Sequence, residues 1–202
     1  RYQVNPHFFM NTLNNIHALV DINPEKAKTT IVELSKMLRY VLYDANRESV
    51  SLKKEIEFLR HYFRLMSLRF TDDIKTSLTL PERMTDCNVP PLLLIIFAEN
   101  AFKHGISYSG QSFVEVSIDV VDGNVVFTCS NSKHTAKPTY EKGGVGLVNV
   151  RKRLDLLYDT NYKLEIKDSE QRFDVKLVMP VLKERPQEKT VNNGSDKNGK
   201  QG

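Results

Sequence analysis

The chain has 202 residues, two fifths of them apolar, enough to bury one good core together with an added helical module, so two units are expected rather than one. Half of the net charge of +4 sits at the C-terminal end, where Lys183, Arg185, Lys189, Lys197 and Lys200 outnumber Glu184, Glu188 and Asp196 by five to three; the nearly balanced remainder argues against a nucleic-acid surface. Cys87 and Cys129 have no metal-ligand spacing and read as reduced thiols; the longest apolar run, residues 89–98, is about half of a bilayer span, and no signal peptide precedes it, so the chain is expected to be soluble.

Three helical stretches come first. Residues 7–20 are followed by Asp21-Ile22-Asn23-Pro24, where the Asn-Pro pair breaks the helix and caps the next one. Residues 25–45 carry Ala27, Ile31, Leu34, Leu38, Leu42 and Ala45 on one stripe, read as core packing. Ser51 reads as the N-cap of a helix over 52–70, whose Ile56, Leu59, Phe63, Met66 and Phe70 recur at three- and four-residue steps. A hairpin this small cannot close a core alone, so a dimeric four-helix bundle is its expected completion.

After Asp72-Asp73 the pattern changes to alternation. Residues 74–80, 112–121, 124–130, 162–168 and 172–179 read as strands, with Asp122-Gly123 as a hairpin turn, and helices are expected over 91–104 and 147–159. The class is therefore α+β, with helices on one sheet face. From residue 183 onward Pro, Gln, Asn, Gly, Ser and Lys dominate without periodicity, and disorder is expected.

Chemistry concentrates where the apolar run at Pro90–Ala98 ends in Glu99, Asn100, Lys103 and His104. Glu99 and Lys103 are four residues apart, as are Asn100 and His104, so both pairs can share one side of the helix end. An amide able to hold a hydrated Mg²⁺, beside a carboxylate and two donors, suits a nucleoside triphosphate such as ATP. The plainer reading is a core helix with a solvated end. Downstream, Gly143-Gly144-Val145-Gly146-Leu147 precedes apolar positions 147, 150, 154, 157 and 158 at helical period, so the glycines open a helix whose unpaired N–H groups favour phosphate.

Glu99-Asn100-Ala101-Phe102-Lys103-His104-Gly105 resembles the N box of the GHKL ATPase fold, and residues 143–154 resemble its second glycine box. Gln3-Val4-Asn5-Pro6-His7-Phe8-Phe9-Met10-Asn11-Thr12-Leu13-Asn14 resembles the phosphoacceptor signature of LytS/YehU-type sensor histidine kinases, so that the resemblance covers residues 1 to about 182 with three motifs in the family's order. It implies a helical dimerisation and phosphoacceptor region over 1–71, a GHKL-type α/β sandwich over 72–182 with a mixed sheet, and a tail over 183–202.

The roles implied by the resemblance fall residue by residue. His7 would carry the phosphate; an imidazole with an ordinary pKa of about 6.5 is mostly neutral near pH 7, and a ring nitrogen can then attack phosphorus. Asn5 and Pro6 would cap and start the helix, or Pro6 would kink a helix arriving from upstream. The commoner histidine kinases place an acidic residue after the phosphoacceptor, where this chain has Phe8, so the base would be Glu99. Asn100 would ligate Mg²⁺, Lys103 and His104 would meet phosphate, and Gly144, Gly146 and Leu147 would form the backbone cradle. Asn131 stands where the fold usually has the aspartate that reads adenine, and keeps an amide carbonyl as acceptor without the charge. Residues 133–142 would be a lid. Asn11, one turn after His7, would orient the water that dephosphorylates a partner regulator, or would only pack or cap within the bundle. His17, His61 and His134 have no such context and read as surface or packing residues.

The resemblance implies a homodimer, a response regulator as partner, of the kind with a LytTR DNA-binding domain, and a place in the cytoplasmic portion of an inner-membrane sensor. Arg1 lies inside the first motif without an initiator Met, so the chain is expected to be cut from such a longer protein. The competing expectation is a non-catalytic dimeric scaffold that signals by shape, which Asn131 and Phe8 would suit and which would have no use for His7, Glu99 or Asn100.

Overall fold

Two caps set the frame of the helical region. Asn23 accepts the Lys26 N–H at 3.0 Å with Pro24 in the first turn, and Ser51 accepts the Lys54 N–H at 3.4 Å. Between and around them run α1 (Pro6–Ile22), α2 (Pro24–Tyr43) and α3 (Leu52–Arg69). The structure, a computed structural model, describes residues 6–70, 74–82, 86–107, 111–134 and 145–182. The expected tail, most of the expected lid, Asn5 and Gly144 lie outside the described residues.

The α3 stripe packs as its period predicts: Ile56, Leu59, Phe63 and Met66 are buried. The α2 stripe does not. Ala27 and Leu34 are buried, but the face that meets α3 continues through Thr30, Met37 and Tyr40, while Ile31, Leu38 and Leu42 point outward at 46%, 38% and 67% exposure. α2 is apolar around more than half of its circumference, so one helical stripe could not tell which side faces the core.

Beyond α3 the chain alternates as expected and builds a five-stranded sheet in the order β2-β4-β5-β7-β6, from β2 (Ile74–Thr79), β4 (Ser112–Val121), β5 (Asn124–Ser132), β6 (Lys163–Asp168) and β7 (Arg172–Pro180). β2 and β4 are parallel and all other pairs antiparallel, because the connection between them carries α4 (Ile95–Gly105). Asp122 and Gly123 both have positive φ, 49° and 74°, which gives the β4–β5 hairpin its two-residue turn. A second, two-stranded ribbon joins β1 (Val50–Ser51) to β3 (Asn88–Val89); strands of two residues are too short to show a period.

Val114, Val116 and Ile118 of β4 and Val125, Phe127 and Cys129 of β5 point into the core, where α4 covers them. Phe97 of α4 packs on Phe127 with ring centroids 5.5 Å apart. α5 (Val145–Tyr158) lies beside α4 and buries Val150 and Leu154. The helical region is joined to this layer by rings: Phe8 of α1 meets Tyr62 of α3 at 5.2 Å, and Tyr62 and Phe63 meet Phe102 of α4 edge-on at 5.6 and 5.1 Å.

A polar knot also ties the two regions. Glu55, fully buried in the first turn of α3, accepts the Tyr40 hydroxyl of α2 and, at 2.6 Å, the backbone N–H of Leu92 ahead of α4. Arg153 of α5 donates to the Pro91 carbonyl at 2.7 Å beside it. The expected helix over 91–104 therefore starts late, at Ile95, because Leu92 is held at φ 54°, a left-handed conformation that a helix cannot contain.

Candidate functional site

The end of α4 and the start of α5 meet as the two motifs predict. Gly146 lies within the first turn of α5, not ahead of it, and a Cβ added there would stand 3.5 Å from the Asn100 amide nitrogen and 3.9 Å from Ile96. The absent side chain leaves the α5 N-terminus against Asn100, so a polar amide from one helix faces the N–H-rich end of another. Leu147 is half-buried against the core. This arrangement fits the phosphates of a nucleotide and the hydrated cation that accompanies them.

Glu99 is half-buried on α4, and Lys103 and His104 are exposed on its last turn. Partial desolvation and the Lys103 charge hold the His104 pKa below the ordinary histidine value. Lys103 and His104 thus stand side by side on the exposed last turn of α4.

Asn131 does not stand open like a surface acceptor. It is buried at 3% exposure on β5, donates its amide to the Ser132 carbonyl at 2.8 Å, and packs beneath Gly105. Ser132 in turn donates to the Gly105 carbonyl at 2.6 Å and accepts the Phe113 N–H at 3.0 Å, which fixes the end of α4 to the middle of the sheet.

His7 is exposed at the start of α1, and the Asn11 amide nitrogen lies 3.1 Å from its Nδ1. The spacing of four thus does bring these two side chains into contact. His7 connects to α4 through the ring series Phe8, Tyr62 and Phe102. Among the other histidines, His17 is exposed, as expected, and His134 lies 2.9 Å from the Ser112 hydroxyl. His61 is more than a packing residue: its Nδ1 lies 2.5 Å from buried Glu33, whose pKa burial would raise but which His61, Arg64 and Lys36 hold below the carboxylate norm. Among the described residues no group of three or more His, Cys, Asp or Glu could hold a metal ion. None of their helices is long and apolar enough to cross a membrane.

Comparison with known proteins bears on the family and the fold. The family model for histidine kinases matches residues 1–74. The sensor protein LytS of Oceanobacillus iheyensis is 31% identical over 193 residues, covering 88% of this chain and 33% of its own length. The sensor histidine kinase/phosphatase LytS of Staphylococcus aureus is 37% identical over 117 residues, 57% of this chain and 20% of that one. The chain spans about a third of the length of the first of these relatives. In fold, the histidine kinase domain of a blue-light activated histidine kinase from Erythrobacter litoralis aligns with a TM-score of 0.50 at 14% identity, over 88% of this chain and 96% of that domain. With the phosphoacceptor signature and both nucleotide-site motifs in one chain, this protein belongs to the LytS-type sensor histidine kinases.

Proposed function

We propose that this chain is the kinase core of a two-component sensor: it transfers the γ-phosphoryl group of ATP to His7 and passes it to an aspartate of a response regulator. The observation that carries this reading is the meeting of Asn100 with the glycine-opened start of α5, at the end of an α4 whose Phe102 joins the ring series leading back to the His7 helix. Gly146 and Leu147, with Gly144, would cradle the phosphates; Lys103 and His104 would meet them at the edge; Asn131 would face the adenine. Bound Mg²⁺ would draw charge from the phosphates, with Asn100 as its protein ligand. Glu99 would be the carboxylate that takes up the proton released in the transfer.

The division of labour would have residues 1–71 presenting the phosphoacceptor and 72–182 binding the nucleotide. The outward apolar residues Met10, Leu13, Ile31, Leu38 and Leu42 on α1 and α2 support a homodimer closed as a four-helix bundle. The parent protein would be a membrane sensor with this portion in the cytoplasm, and its partner a regulator with a LytTR DNA-binding domain. Asn11 would position the water that hydrolyses the regulator's aspartyl phosphate, an activity in keeping with the kinase/phosphatase name of the Staphylococcus aureus relative.

Incubation with γ-labelled ATP and Mg²⁺ tests the reading. The protein is expected to gain acid-labile, base-stable label that His7→Gln abolishes while nucleotide binding persists. Label at the wild-type level on the variant would sink the assignment, and binding without any labelling of the wild type would favour the scaffold. Asn100→Asp places a second charge beside Glu99 and alters the metal's ligand set. It is expected to lower Mg²⁺–ATP affinity at least tenfold and to lose labelling with it; an unchanged titration would reduce Asn100 to a helix-end residue.

A further inference from the structure

The Pro91–Leu92 peptide group is held from both sides. Its N–H donates to Glu55 of α3 at 2.6 Å, and its carbonyl accepts from the Arg153 guanidinium of α5 at 2.7 Å. In a trans peptide these two groups point in opposite directions, so the peptide plane lies between a carboxyl of the helical region and a cation of the helix that the glycines open. Pro91 and Leu92 are both buried, and away from water each hydrogen bond polarises the next. Negative charge on Glu55 draws on the N–H and so strengthens the carbonyl as an acceptor for Arg153. The Tyr40 hydroxyl extends the same chain to α2.

The other end of α5 is the candidate phosphate site. Gly146 and Arg153 are seven residues apart, two turns and about 10 Å along the axis, and therefore lie on one face of the helix. That face runs antiparallel along α4: Gly146 meets Asn100 and Ile96, and Arg153 meets the peptide ahead of Ile95, where α4 begins. Among the described residues α4 is the element that α5 packs against most, while Val148, Leu156 and Leu157 are exposed. A helix with one main neighbour can slide or tilt unless its ends are fixed. Gly146 has no side chain to anchor its end, and Arg153 anchors the other.

We propose that Glu55 and Arg153 are positioning residues for the nucleotide: acting through the Pro91–Leu92 peptide, they set where the start of α5 stands against Asn100, so that a residue of the phosphoacceptor region governs phosphate binding in the other region. This rests on α5 being the helix that receives the phosphates. The coupling is reciprocal, since a nucleotide that prefers the fixed helix must in turn strengthen the contact at Glu55. Only an ionised Glu55 polarises the chain fully. The groups that face it are the Tyr40 hydroxyl from α2, the Leu92 and Leu94 N–H groups ahead of α4 and Arg153 from α5; all of them favour its charged form, and burial opposes it. Behind these stand Asp44, next to Tyr40, and Tyr158, next to Arg153. A rise in pH through the Glu55 titration should therefore tighten nucleotide binding, and bound nucleotide should lower the pH at which Glu55 ionises.

Titration of the 202-residue protein with a non-hydrolysable ATP analogue and Mg²⁺ reads this coupling without phosphoryl transfer, at a temperature where circular dichroism shows each variant folded. Arg153→Met keeps the stem without the charge and is expected to bind at least tenfold more weakly than wild type, while Arg153→Lys stays within about threefold. Between pH 6 and 8 wild-type affinity should rise at least threefold relative to Glu55→Gln, a ratio from which the titrations of the nucleotide and of His104, common to both proteins, drop out. Because both residues act on one peptide, Glu55→Gln combined with Arg153→Met should bind no more weakly than Arg153→Met alone. A clamp that served stability only would lower the thermal midpoint and leave these readouts alone. Wild-type affinity in folded Arg153→Met overturns the proposal, as do parallel pH profiles or additive losses in the double variant; if Arg153→Met does not fold, the Glu55→Gln profile decides. A wild-type protein that takes up no nucleotide at any pH would instead refute the nucleotide site itself, and the positioning role would fall with it.

Discussion

Glu55→Ala is expected to destabilise the fold by about 3–5 kcal/mol, read as a lowered urea midpoint, because it strands donors that have no water to turn to. The Tyr40 hydroxyl and the Leu92 N–H both lose their acceptor, and all three groups come from different elements. Leu92 is also held in the left-handed region at φ 54°, a conformation a leucine keeps only while its surroundings fix it. Tyr40→Phe, which removes one donor and no acceptor from the backbone, should cost about 1 kcal/mol. A Glu55→Ala protein no weaker than Tyr40→Phe would mean that the knot is incidental.

The same carboxyl gives the fold a pH dependence of definite sign. Burial pushes the Glu55 pKa up to about 7, against the opposing pull of the Tyr40 hydroxyl, the Leu92 N–H and the Arg153 charge. Between its ordinary 4.5 and about 7, the folded protein holds a proton that the unfolded chain has released. Stability contributed by this group is therefore greatest below that window, falls as pH rises through it and levels off above it. Glu33 and Asp174, whose pKa values are lowered, act oppositely and lose their contribution only as pH falls below the carboxylate norm. The difference between wild type and Glu55→Gln isolates the first effect: the fall between pH 4.5 and 7 should vanish in the variant, and an unchanged profile would contradict the assignment.

The contrast between Glu55 and Ser51 shows what a sequence can reveal here. Ser51 and Asn23 act through backbone groups three residues away, so their caps are legible from local order alone. Glu55 is one more acidic residue in a first helical turn until the chain returns at Leu92, and no periodicity encodes that return. The same limit explains α2, whose two apolar sides, one with Leu34 and Met37 and the other with Ile31 and Leu42, differ only in what lies opposite them. The site divides in the same way. His7 and Asn11 meet through helix geometry and were readable as a pair, whereas Asn100 and Gly146 meet through the packing of α4 on α5, and only the motif resemblance linked them beforehand. The burial of Asn131 under Gly105 had no local signal at all.

That last contact leads to the second large effect, expected of Gly105→Ala. Replacing glycine by alanine in a helix ordinarily stabilises it, by up to about 1 kcal/mol. At Gly105 the sign should reverse. The new Cβ would stand 2.6 Å from the Cβ of Asn131, closer than two such carbons can approach, with the Asn131 amide nitrogen and Cγ at 3.0 and 3.1 Å. Asn131 cannot swing away, since its Cβ is set by β5, which pairs at that residue with Val114 on one side and Phe173 on the other. Nor can Gly105 easily lift, because its carbonyl is held by the Ser132 hydroxyl at 2.6 Å. Overpacking of this kind costs about 1–3 kcal/mol, and the strain falls on the residue proposed to face the adenine. Gly105→Ala should therefore lower the thermal midpoint by several degrees and weaken ATP binding at least tenfold, while the His7–Asn11 contact on α1 is undisturbed. Adding Asn131→Gly removes the opposing Cβ, so it should restore much of the midpoint but none of the affinity. A Gly105→Ala protein with wild-type stability would show that α4 and β5 can part freely there; restored affinity in the double variant would remove Asn131 from the nucleotide site.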